Sequence, residues 1–203
     1  MNYETLIVEI GDDFVASITL NRPQQLNTFT SVLAAELDDA FKVLDAHGRV
    51  RVILVKGAGK AFCAGIDVTE LPGKSPTEYR RWIQQMENPL VTISRLNKPV
   101  IAQVHGAAAA NGAGLVAAAD LAIAADNARI GLTAINVGLN CVGPVVPLAR
   151  SVGRKRALEM LFYGNLLGAA EALQMGLVNR VVPADELEKE AREWTVLLAR
   201  KSP

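Results

Sequence analysis

At 203 residues the chain is the size of one ordinary domain, long enough to bury a core. Half of it is apolar yet only 5% is aromatic, so that core has to be assembled from Ala, Val, Leu and Ile in close contact. Lys plus Arg and Asp plus Glu balance at 21 each with no long run of one sign, which argues against nucleic acid as a partner, because neutralising phosphates calls for a basic patch. The opening MNYETLIVEIGDD carries acids where a secretory signal needs a basic region and an apolar core. Two cysteines, Cys63 and Cys141, are too few for a disulfide framework, so a reducing, cytoplasmic setting is the expectation. Residues 106 to 125 are mostly apolar, but Asn111 and Asp120 interrupt them. An acid within a span costs about 2.5–3.5 kcal/mol, which Ala and Gly offset poorly, so no membrane span and no membrane partner are expected.

In chain order, TLIVEI (5–10) and FVASITL (14–20) flank Gly11-Asp12-Asp13 and read as a hairpin. A helix should start near Thr30 or Ser31, with Leu33, Leu37, Ala40, Phe41 and Leu44 on one face, and end around His47-Gly48. VRVILVKG (50–57) is a buried strand, followed by the glycine-punctuated loop AGKAFCAG, IDVTEL and the loop PGKSPT (72–77). Helical spacing returns over 78–96 through Tyr79, Trp82, Ile83, Met86, Leu90 and Ile93, with a bend expected at Asn88-Pro89. PVIAQVHG (99–106) and LAIAAD (121–126) are further buried strands on either side of HGAAAANGAGLVAAAD. A loop over 132–144 leads to helix over 145–175, broken at Gly153, Gly164 and Gly168. LVNRVV (177–182) is a short strand, and Pro183 with Asp185 opens an amphipathic last helix. Strand alternating with helix places the chain in the α/β class.

Two glycine-bearing segments, 57–65 and 106–114, each follow a buried strand and should turn sharply into a helix, whose first N–H groups lack intrahelical acceptors. Neither fits phosphate binding. GAAAANGAGL lacks the spacing of G-x-G-x-x-G, and GAGKAF has Lys60 without the spacing or hydroxyl of a P-loop. That also removes the basis for a dinucleotide-dependent oxidoreductase. The remaining use for such amides is an oxyanion hole, two N–H donors from separate turns aimed at one carbonyl oxygen.

The residues around these turns carry a resemblance. KAFCAGIDVTEL (60–71) is similar to the first signature, K-A-F-x-A-G-x-D-x-x-E, of the enoyl-CoA hydratase/isomerase family, the crotonase superfamily. LNRPQQLNTFT (20–30) resembles its L-N-R-P-x-x-x-N-A opening, and NKPVIAQVHGAAAANGAGLVAAADLAIAAD (97–126) its second signature. ALEMLFYGNLLGAAEALQMGLVNRVVP (157–183) resembles the segment after the active-site loop, so the four stretches occur in family order along the chain.

The resemblance implies an α/β crotonase-like spiral of strand-strand-helix units, here one domain over 1–203 with its core over about 1–183 and the start of a C-terminal helical region over 184–203, the rest of that region being truncated or absent. It implies an acyl-CoA substrate, a coenzyme A thioester, with no permanently bound cofactor and no metal, and assembly as a homotrimer or hexamer. The oxyanion-hole N–H groups would be those of Ile66 and Asn111, and the coenzyme A contacts would come from Gln25, Leu26, Ala64, Asp67, Val68 and Thr69.

Two positions depart from the family pattern. Its hydratases place glutamates after the glycine run and after the next strand, where this chain has Gly114 and Ala134, so ordinary water addition does not carry over. Residues 107–110 and AINVGLNCVGPVVPLAR resemble the enoyl-CoA hydratase domain-containing subgroup, which also lacks these acids. An atypical hydratase, isomerase, decarboxylase or hydrolase working through a thioester enolate is expected, with a non-catalytic acyl-CoA-binding or assembly protein as the alternative. Cys141 and Asn140, in the loop after the second missing acid, are candidate catalytic groups, against packing for the thiol. Cys63 and His105 read as structural, and Asp67 as a cap for the helix it adjoins. Glu70, Tyr79, Arg80, Arg81 and Trp82 either border an acyl pocket or form a solvated helix face.

Overall fold

The computed structural model of the chain describes residues 2–201, so Ser202 and Pro203 of the expected C-terminal region lie outside the described residues. Strand β1 (Leu6–Ile10) pairs antiparallel with β2 (Val15–Leu20), Val8 opposite Ile18, as the hairpin spacing predicts. From β2 onward the sheet is parallel and runs through β3 (Val52–Gly57) to β4 (Val100–Val104). After the three-residue β5 (Ala107–Ala109) the chain returns to the main sheet as β6 (Leu121–Ala125). Strand β7 (Arg129–Gly131) and the two-residue β8 (Leu167–Gly168) join β5 in a second, smaller sheet. Strand β9 (Arg180–Val182) closes the main sheet in the order β1-β2-β3-β4-β6-β9.

Both faces of the central strands are covered, which is why VILV and LAIAA are continuous apolar runs and VIAQV is interrupted only by the buried Gln103. On one face lie α1 (Ser31–Ala46), α2 (Pro76–Ile93) and α3 (Asn111–Ala118), which enclose the main core with Ile18, Phe29, Phe41, Phe62 and Met86 fully buried. Helices α4 (Val145–Val152), α5 (Arg154–Tyr163) and α6 (Ala169–Gln174) complete that side, broken at Gly153 and Gly164, where φ is 81° and 65°. On the other face α7 (Leu187–Ala199) buries Leu187, Ala191 and Ala199 against Val15, Val52, Leu54, Ile101, Ile123 and Ala125. Strand-strand-helix units recur as β1-β2-α1, β4-β5-α3 and β6-β7-α4, with β3-α2, which has a single named strand, between the first two.

The structure differs from the sequence expectation in several places. The 57–65 segment, expected to turn sharply into a helix, leads only into the three-residue 3-10 turn Val68–Glu70, and α2 stops at Ile93, three residues before the expected end. Helix α2 begins at Pro76, two residues early, because Ser75 and Glu78 form a reciprocal capping box that draws the loop into the first turn. It runs through Pro89 as one helix, with Pro89 itself buried among its core-facing residues. The stretch expected to pass from strand directly to helix contains β5, because the N–H of Cys63 reaches the carbonyl of Ala107 at 3.0 Å while Ala107–Ala109 pair with β7. Lastly, Asp185 does not cap the last helix: Glu186 holds that position and no side chain satisfies its amides.

By contrast α1 has a working cap, the Thr30 hydroxyl accepting from the N–H of Leu33 at 3.1 Å. Thr30→Ala should therefore cost about 1 kcal/mol in urea unfolding, whereas Asp185→Ala should stay within about 0.5 kcal/mol of the parent.

Candidate active site

The two glycine-bearing turns lie against each other. Cys63 bridges Ala108 in parallel pairing, with Cys63 N–H to Ala107 O at 3.0 Å and Ala109 N–H to Cys63 O at 2.9 Å. Gly112 is required by this approach, since a Cβ there would collide with the Cys63 carbonyl. Gly65, at φ 104°, is required both by its backbone and by Ala110, whose Cβ would lie 3.1 Å away. Ala110 is itself held at φ 47°, a strained setting for a residue with a Cβ, with its N–H bonded to Gly131 O at 2.8 Å.

The pairing leaves two amides without an internal partner among the described residues, on residues that line the same cavity. Phe29 takes its bonds from the residues flanking Ile66, its N–H to Gly65 O at 2.7 Å and its carbonyl from Asp67 N–H at 2.8 Å, so the amide of Ile66 turns away from it. Asn111 is the first residue of α3, and the first intrahelical-type bond of that helix runs from Gly114 N–H to Ala110 O. Among the described residues neither Ile66 N–H nor Asn111 N–H has an intramolecular acceptor. Both residues line one cavity of about 320 Å³, walled by Tyr79, Ile83, Met86, Leu139 and Cys141 among others. The Asn111 side chain does not enter chemistry there: its Nδ2 donates to Met86 O at 2.9 Å and ties α3 to α2.

Beside the turns, Asn27 is fully buried and its Nδ2 spans the carbonyls of Ala58 and Ala61 at 2.8 Å each and Phe62 at 3.2 Å. Its Oδ1 accepts from Arg22 N–H at 2.9 Å, so one side chain fastens the 22–28 turn to the 58–62 loop. Leu26 follows suit, its carbonyl accepting from Ala64 N–H at 3.0 Å. Arg22 pairs with Asp67 at 3.2 Å, and Asp67 also caps the short turn Val68–Glu70 by accepting from Thr69 N–H at 3.2 Å. Hydrogen bonds from Thr69, then Arg22, hold the Asp67 carboxyl below the usual carboxylate range despite partial burial. Glu70 is a hub: it accepts from Ser31 N–H at 3.1 Å, Ser31 hydroxyl at 2.7 Å and Trp82 Nε1 at 2.9 Å. Burial pushes its pKa up, but the Ser31 and Trp82 bonds outweigh that and leave it lowered.

The expected site residues divide. Ile66, Asn111, Ala134, Asn140, Cys141 and Tyr79 are brought together around the cavity; Gln25, Leu26, Ala64, Asp67, Val68 and Thr69 are outside its wall, and Val68 and Thr69 are exposed. Arg80 and Arg81 are solvated. Burial raises the Cys141 pKa, so it presents a protonated thiol at neutral pH, and Cys63 is pushed up to about 12 with its Sγ facing Gly65 O. His105 lies on another side of the fold, its Nε2 3.0 Å from Gly59 O. Gly114 is packed rather than vacant, as a Cβ there would meet Leu90 at 2.9 Å and Pro144 at 3.0 Å. Two residues escaped the sequence reading. Asn27 was visible only as part of a family motif, while Glu87 occupies the apolar stripe of α2, four residues after Ile83, and lines the cavity with its carboxyl against Gly143.

A spiral of strand-strand-helix units carrying two free amides from apposed turns defines a class. Residues 11–203 match the family model Enoyl-CoA hydratase/isomerase, and the chain belongs to that family. It is 38% identical over 192 residues to a probable enoyl-CoA hydratase of Rhizobium meliloti, covering 94% of this chain and 74% of that protein. Its fold superposes on an enoyl-CoA hydratase of Mycobacterium smegmatis with TM-score 0.93 and 40% identity, over 97% of this chain and 77% of the other. Human enoyl-CoA hydratase domain-containing protein 3 gives TM-score 0.90 at 34% identity, over 97% and 78%.

Because the Glu70 carboxyl is lowered in the fold, its stabilisation is present above the unfolded-state pKa and lost as pH falls through the folded value. Glu70→Gln should melt below the parent at pH 7, the gap narrowing once pH falls below about 4.3, as read by thermal denaturation across pH 3–7.

Proposed function

We propose that the chain binds an acyl-CoA thioester and stabilises the enolate of its acyl group through the N–H groups of Ile66 and Asn111. The single observation that carries this reading is that both amides lack an internal acceptor and line the same cavity. Charge developing on a thioester oxygen in that position would meet two preorganised donors and the N-terminal end of α3. Removing one such donor from an oxyanion hole costs about 2.7–4 kcal/mol of transition-state stabilisation. The coenzyme A portion would lie along the surface formed by Gln25, Leu26 and Ala64, which Asn27 holds together, and pass Asp67, Val68 and Thr69.

The reaction is an atypical one for the family in this reading, because neither Gly114 nor Ala134 can move a proton. The tight packing of Gly114 between Leu90 and Pro144 supports it, since an acid there would displace both. Isomerisation and decarboxylation both pass through a thioester enolate, and thioester hydrolysis through a tetrahedral oxyanion that the same two donors would hold; none requires paired glutamates at those positions.

A panel of CoA thioesters followed by mass spectrometry and by thermal shift tests the reading. Binding at 100 times Kd should stabilise the fold by about 2.7 kcal/mol. Gly112→Ala, which drives the two turns apart, should abolish binding and turnover, whereas Asn111→Gly should keep turnover and lose only the stability of the Met86 contact, about 1 kcal/mol. A thermal shift without turnover of any thioester favours the binding-protein alternative; no shift with any of them overturns both.

A further inference from the structure

The cavity that carries the two free amides has one carboxyl in its wall, Glu87 of α2. Its other ionisable lining groups are Tyr79 and Cys141, a phenol and a thiol. Glu87 is neither a surface acid nor half of an ion pair: it is partly buried and forms no salt bridge among the described residues.

Its placement is fixed from two sides. Met86, the preceding residue, accepts the bond from Asn111 Nδ2 at 2.9 Å, so the residue that supplies one of the amides also sets the turn of α2 from which Glu87 projects. Opposite, the carboxyl lies over Gly143, where any Cβ would strike it. Glu87, Val142 and Gly143 also border the adjoining cavity of about 570 Å³, whose rim carries Arg95 and Arg150. Burial raises the Glu87 pKa against the opposing effect of Gly143, which makes its carboxylate a stronger base than one in water.

We infer that Glu87 is the proton-transfer residue of this site, a role that rests on the thioester-enolate reading above. The Glu87 carboxylate takes a proton from the carbon next to the thioester carbonyl. The C–H bond breaks, an O–H bond forms on Glu87, and the electron pair moves into the enolate oxygen held by Ile66 and Asn111. Returned to the same carbon, the proton regenerates the substrate. Returned two carbons further along a β,γ-unsaturated chain, it moves the double bond into conjugation. No water is added and no oxidant is consumed, so a single carboxyl suffices. The apolar wall of Ile83, Met86, Leu139 and Val142 suits an aliphatic acyl group.

Hydrogen exchange isolates this step from any later chemistry. The protein is incubated with butyryl-CoA in D2O, and α-deuterium is measured by mass spectrometry, with thermal shift reporting binding. The parent should incorporate deuterium. Glu87→Gln should bind butyryl-CoA as the parent does and exchange about 10²–10⁴-fold more slowly, with Glu87→Asp in between. Gly143→Ala, which leaves the carboxyl present but displaces it, should also slow exchange. Exchange by a folded Glu87→Gln at the parental rate overturns the assignment and leaves the thioester reading standing. Parental binding without exchange does the same, while a parent that neither binds nor exchanges removes both. If Glu87→Gln fails to fold, Glu87→Asp and Gly143→Ala decide, and parental rates in both overturn the assignment.

Discussion

Backbone against backbone is the contact on which this structure turns. Residues 62–66 and 107–112 are far apart in the chain but run side by side, with the Cys63 amide and carbonyl both bonded to the strand at Ala107–Ala109. Nothing larger than hydrogen fits at Gly112, and Gly65 sits where only its φ of 104° and its lack of a Cβ are tolerated. Parallel pairing makes alternate amides point in opposite directions, so the bonds that fasten Gly65 and Asp67 to Phe29 leave the amide of Ile66 free. The strain at Ala110, of order 1–3 kcal/mol for such a conformation, is held by the surrounding bonds to Gly131 and Gly114.

Around this contact, polar side chains act as fasteners. Asn27 reaches three carbonyls of the 58–62 loop, Asn111 reaches the carbonyl of Met86, and Glu70 gathers Ser31 and Trp82. Each removes an orphaned polar group from the interior while joining two elements. The free amides of Ile66 and Asn111 are thereby mounted on turns fastened to their neighbours, and the cavity beside them is mostly apolar, with one carboxyl, Glu87, in its wall. Backbone donors in a site of low polarity act more strongly than in water and need no rearrangement as charge develops.

The small-residue composition follows from the same geometry. Four consecutive alanines and the glycines after them allow β5, the Cys63 segment and α3 to converge within a few ångströms. An aromatic or branched side chain in that stretch would separate the turns. The scarcity of aromatics in the whole chain is thus matched by a sheet covered on both faces by closely approaching helices.

Much was legible in the residues alone. The alternation of strand and helix, the buried face of α1 through Leu33, Leu37, Phe41 and Leu44, the hairpin, and the two amide-bearing turns all follow from local patterns, because hydrophobic period and turn chemistry act over a few neighbouring residues. Tertiary structure decided what depends on residues meeting across the chain. It inserted β5, since a three-residue strand exists only through its partners, and it withheld a cap from Asp185. It also filled the space beside Gly114 with Leu90 and Pro144 and set Glu87 over Gly143, facing the cavity. A carboxyl in an apolar stripe looks like an irregularity in the sequence. Only the packing of α2 against the loop at Gly143 gives it a site, because burial and orientation are properties of the contacts and not of the residue.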